Sequence, residues 1–140
     1  MPDSSEVLIG LKGGDHVLLY NWRHGHEGWT YADADVLCGV WKGGFRVSFY
    51  SNEHVKFAEE LRQLYQDLSG IATLKPIDNY LEMTFTGDGR GGVEIEGRAQ
   101  SLFGIETYLC FSFSIDQTFL PKIADGLSAH VHPSPETGSR

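Results

Sequence analysis

Apolar residues recur at every second position along most of this chain, and that period limits what it can fold into. Val7, Ile9 and Leu11 follow it, as do Phe45, Val47 and Phe49, then Leu81, Met83 and Phe85, then Val93 and Ile95, and finally Thr107, Leu109, Phe111, Phe113 and Ile115. A period of two puts these side chains on one face of an extended strand and their neighbours on the other. Strands with one apolar and one polar face build antiparallel sheets covered on one side.

The period changes to a helical one in the middle of the chain. Phe57, Leu61, Leu64, Tyr65 and Leu68 form one stripe, with Glu59, Glu60, Arg62, Gln63, Gln66 and Asp67 opposite. This spacing predicts a helix over 53–68. Ser51 or Asn52 can cap its start, Glu53 suits the positive end of its dipole, and Gly70 suits the left-handed position after its end. A shorter helix is expected from Thr118, where Leu120, Ile123, Ala124 and Leu127 share a face and Pro121 falls in the first turn.

Glycines punctuate the strands. Gly13-Gly14-Asp15 separates the first run from a second over 17–22, and 23–28 is a polar loop. Residues 29–41 read as one bent or bulged strand, Lys42-Gly43-Gly44 as a turn, 71–74 as a short strand and 87–92 as a hairpin loop. The expected fold is α+β: a curved, mainly antiparallel β-sheet of six to eight strands packed on one long helix, with a short C-terminal helix. Residues 1–128 form a single domain, 129–140 a flexible tail, and no internal repeat is visible.

At 140 residues and 15.6 kDa the chain suits one domain with its own core. Its net charge of −8 argues against a general nucleic-acid binder, which needs Lys and Arg on phosphates. The N-terminus shows neither the basic nor the apolar region of a signal peptide, and no apolar run reaches membrane-spanning length. Cys38 and Cys110 both lie in strand-like runs and read as free thiols in a cytoplasmic protein.

Motifs that carry chemistry are sparse. His24, His26 and Glu27 are the obvious candidate metal set, and they read more simply as loop residues, since no matching second ligand motif accompanies them and His130-x-His132 lies in the expected tail, where ligands are not preorganised. Asp33 and Asp35 share a strand face, as do Glu94 and Glu96. Neighbouring acids on one face lack the opposed placement of glycosidase carboxylates. Gly87, Gly89, Gly91 and Gly92 join two strands and lack the Lys of a P-loop. No Gly-x-Ser-x-Gly elbow is present. No cofactor is implied.

The order of the motifs is itself informative. Phe57-x3-Leu61-x2-Leu64-x3-Leu68-x-Gly70 is followed by Leu81-x-Met83-x-Phe85, a turn, and Val93-x-Ile95-x-Gly97. Leu109-x-Phe111-x4-Asp116-Gln117-Thr118-x-Leu120 completes the series. Over roughly 29–128 this resembles the WapI-like bacterial immunity proteins and related small domains. The resemblance implies an intracellular, non-catalytic partner of a toxin and carries over no catalytic residues. A basic toxin would be steered to an acidic surface. Asp33, Asp35, Asp88, Glu94 and Glu96 are the residues expected to meet it, with neither nucleic acid nor membrane as partner. Two other functions compete: a small-molecule module with a concave sheet beside Trp29, Trp41 and Tyr50, and a metal-dependent enzyme using His24, His26 and Glu27.

Overall fold

A computed structural model of the chain describes residues 5–100 and 107–133. The strands are β1 (Val7–Gly10), β2 (His16–His24), β3 (Trp29–Cys38), β4 (Trp41–Tyr50), β5 (Ser69–Leu74), β6 (Leu81–Asp88), β7 (Gly92–Gln100) and β8 (Tyr108–Asp116). Helix α1 (Glu53–Asp67) follows β4. A 3-10 turn (Gln117–Phe119) and helix α2 (Leu120–Ser128) follow β8.

The fold is α+β and its strands are antiparallel, but they form two sheets and not one. The first runs β1-β2-β3-β4 and the second β5-β6-β7-β8, each a simple meander ending in a helix. The chain therefore repeats a four-strands-then-helix unit that its sequence does not display. The helices interlock the two units. Helix α1 leaves the first sheet and packs on β5 and α2, while α2 leaves the second sheet and packs back on β1. At that return contact, a Cβ on Gly126 would lie 3.0 Å from Val7 Cγ2, so helix and strand approach closely because residue 126 has no side chain.

The strand faces follow the period of two. Val7, Ile9, Val17, Leu19, Ala32, Ala34, Val36, Val47 and Phe49 are buried from the first sheet, and Ala72, Leu74, Leu81, Met83, Phe85, Val93, Ile95, Phe111 and Ile115 from the second. Phe57, Ala58, Leu61 and Leu64 of α1 and Leu120, Ile123, Ala124 and Leu127 of α2 complete one core cluster.

Several local expectations need correction. Residues 29–41 are not one strand: the chain reverses at Gly39 and Val40, with Gly39 at φ 62°, while Lys42, Gly43 and Gly44 pair inside β4. The irregularity lies in β2, where the register shifts between Tyr20 and Arg23 and Asn21 takes φ 56°. Leu68 is 37% exposed and is the left-handed C-cap of α1, where Gly70 was expected to play that part. Asn52 is the N-cap by position, yet its side chain makes no cap bond; instead Glu53 accepts from Tyr50 N–H at 2.7 Å. Asp116 does cap, accepting from Thr118 N–H at 2.9 Å.

Gly97 shows how the second sheet is filled. It pairs with Phe111 across the ladder, and a Cβ there would lie 2.3 Å from Phe111 Cζ. The ring occupies the space a side chain would need. Gly97→Ala is expected to destabilise by about 1–3 kcal/mol through overpacking, read as a lower denaturation midpoint at unchanged slope.

Candidate functional site

The first sheet turns an aromatic outer face to solvent. Trp29, Tyr31, Asp33 and Asp35 of β3 alternate with the buried Thr30, Ala32 and Ala34. Trp29 stacks along the strand on Tyr31, with centroids 6.5 Å apart, and across it meets Tyr50 at a tilt of 50° with centroids 5.0 Å apart. The Arg46 guanidinium sits over Tyr31 at 5.2 Å. The Tyr31 ring also lies over Gly25, where a Cβ would be 2.5 Å from it.

The two aspartates of this face differ in how far their charge is answered. Asp33 accepts from Asn21 Nδ2 at 2.9 Å and from Arg23 at 3.2 Å. Among the described residues, Asp35 accepts only from Tyr20 Oη, at 3.3 Å. Burial, and then the negative charges of Asp35 and Asp33, push the Tyr20 hydroxyl above its usual pKa.

The outer face of the second sheet is polar. Thr84, Glu96 and Ser112 form one cross-strand row, and Thr86, Glu94 and Ser114 the next. Glu94 accepts from Ser114 Oγ at 2.7 Å, and Glu82 lies 3.7 Å from Arg98. Glu96 makes no ion pair or hydrogen bond among the described residues. A shallow depression of about 330 Å³ opens here between Thr73, Lys75, Glu82, Thr84, Glu96 and Arg98. Asp88 is elsewhere, at the β6–β7 hairpin, where the N–H groups of Arg90 and Gly92 bond its carboxylate and hold it below the usual carboxylate pKa. The five acids therefore do not converge: 33 and 35 share one face, 94 and 96 another, and Asp88 closes a loop.

The two competing residue sets are scattered too. Trp29 pairs with Tyr50 at one end of the β3–β4 ladder and Trp41 with Cys38 at the other, ~30 Å away at the usual strand rise. They cannot line one pocket. His24 turns towards Thr30 Oγ1, at 3.4 Å, while His26 and Glu27 lie exposed in the β2–β3 turn. No group of three or more His, Cys, Asp or Glu is placed to hold a metal among the described residues. Cys38 and Cys110 are both free.

Sequence reasoning missed a histidine cluster around Trp22. His54 of α1 is fully buried, 5.0 Å from Phe49 and 5.6 Å from Trp22 between ring centroids. Its Nε2–H donates to the His130 carbonyl at 2.8 Å. His130 stacks on Trp22 at 4.2 Å and 4° and donates to Ser5 O. His132 donates its backbone N–H to Asn52 Oδ1 and its Nε2–H to Gly25 O, each at 2.8 Å. Thus the first residues of the expected tail, as far as His132, are packed against β2 and α1, with His132 itself buried; residues 134–140 lie outside the described residues. Burial lowers the His54 pKa to about 4 and also lowers that of His24.

No helix among the described residues is long and apolar enough to cross a membrane. No curated protein matches the chain significantly. Five solved chains do match. One, described as crystal structures of trypanosoma bruciei MRP1/MRP2, is 9% identical over 87% of this chain and 81% of its own, with a TM-score of 0.43. The sequence profile of the Immunity protein WapI-like family matches residues 15–135, a span that holds seven of the eight strands and both helices. This chain therefore belongs to the Immunity protein WapI-like family.

Proposed function

We propose that this protein is the cytoplasmic immunity partner of a bacterial toxin, a non-catalytic binder that neutralises the toxin by occupying it. The family match over 15–135 carries this reading. The net charge of −8 supports a basic partner, since complementary potentials speed encounter and fix orientation. Of the candidate acids, Glu94 and Glu96 make no ion pair among the described residues on the second sheet's outer face, and Asp35 makes none on the first. Asp33 is answered by Arg23, and Asp88 is committed to its hairpin.

The test is co-expression with the toxin domain encoded beside this gene. Growth should be restored and the two proteins should co-purify. Binding should weaken as ionic strength rises from about 0.1 to 1 M, because the screening length falls from about 10 to 3 Å. A toxin that stays lethal and forms no complex would overturn the reading.

A further inference from the structure

The packed segment 129–133 invites a question that the toxin reading leaves open: what holds it, and what would release it. Its contacts converge on the histidine cluster. The His130 carbonyl takes the His54 Nε2 proton, the His130 ring covers Trp22, and His132 bonds Asn52 and Gly25. We propose that this segment is a pH-released latch, closed while His54 is neutral and opened when His54 takes a second proton.

The bonding pattern fixes the tautomer. A carbonyl can only accept, so His54 carries its proton on Nε2, which leaves Nδ1 as a bare lone pair. Nδ1 is buried and has no hydrogen-bond partner among the described residues. A second proton would therefore create a buried cation with nothing at Nδ1 to receive it. The surroundings offer no relief. β2 contributes Trp22 and His24, β4 contributes Phe49, and the segment contributes His130 and His132. The titratable groups acting on His54 are His130, His24 and His132, which repel it when charged. Glu53, its neighbour in α1, is engaged by the N–H groups of Tyr50 and Ile77.

Opening the segment lets His54 titrate near its ordinary 6.5, whereas closed it titrates at about 4. The folded pKa is the lower one, so the closed state is favoured above pH 6.5 and loses ground as pH falls towards 4. Between pH 7 and 4.5 the opening equilibrium should rise by about 60-fold.

Amide hydrogen exchange on the full chain measures this directly. After correction for intrinsic rates, protection of the His132 N–H should fall by about 60-fold over that range, while that of Ala34, deep in the first sheet, holds. His54→Gln keeps an N–H donor for the His130 carbonyl but cannot titrate at residue 54, so its His132 protection should fall far less with pH, the remainder coming from His24, whose pKa is also lowered beside the segment. Flat protection in the wild type, or an equal fall in His54→Gln, would overturn the latch. Should His54→Gln fail to fold, the wild-type His54 ring decides by NMR titration: a midpoint below about 5 supports the latch, and one near 6.5 overturns it.

Discussion

Phe57→Ala is expected to lower stability by about 3–5 kcal/mol, a large part of what a domain of this size possesses. Phe57 is 1% exposed and meets Phe85 of β6 edge-to-face, with ring centroids 5.3 Å apart. It is the point where α1, whose chain comes from the first sheet, grips the second. Truncation removes an aromatic contact and leaves a cavity that Leu61, Leu64 and the sheet below cannot collapse into without moving. The stripe supplies its own control. Tyr65 lies on the same helix at 40% exposure, so Tyr65→Ala should cost far less. Chemical denaturation of both variants checks this; equal losses would mean that α1 is not seated by its buried stripe.

That stripe was readable in advance, and so were the faces of nearly every strand, because both depend on local periods of 3.6 and 2. What the periods do not carry is pairing. Nothing in the alternation of Leu81, Met83 and Phe85 says that β6 joins β5 and β7 and not the strands before α1, so two meanders read as one curved sheet. Turn positions failed where composition misleads. Gly43 and Gly44 look like a turn, but Gly44 sits opposite Asp35 in the ladder, and the reversal uses Gly39 and Val40 inside an otherwise apolar run.

The candidate partner-facing acids were legible only as pairs. Alternation correctly put Asp33 with Asp35 and Glu94 with Glu96, yet could not show that Arg23 and Asn21 answer Asp33, or that the two pairs face outwards from different sheets. The histidine cluster had no local signal at all. His132 reaches Gly25 across 107 positions, and Pro-rich, small-residue composition made its segment resemble a tail. His130 and His132, two residues apart, carry no pattern that points to Trp22 of β2 as their neighbour.

Phe49→Ala, in the other sheet, should also cost about 3–5 kcal/mol, and its main interest is in how that loss appears. Phe49 is fully buried in β4, stacked on Trp22 with centroids 6.0 Å apart and tilted against His54 at 5.0 Å. If the two four-strand units folded independently, Phe49→Ala would destabilise only the first and Phe57→Ala chiefly the second, and melting would split into two steps. The helices argue against that. Helix α1 completes the second sheet's packing and α2 completes the first's, so neither unit can keep its apolar face covered once the other has opened. Both variants should therefore lower a single midpoint, by roughly 10 °C or more, with calorimetric and van't Hoff enthalpies in agreement. Two resolved transitions in either variant would refute the interlocked core. The same experiment bears on the latch: removing the Phe49 ring opens the wall beside His54 to water, which weakens the desolvation that depresses its pKa. In Phe49→Ala the His54 ring should accordingly titrate nearer 6.5 than it does in the wild type.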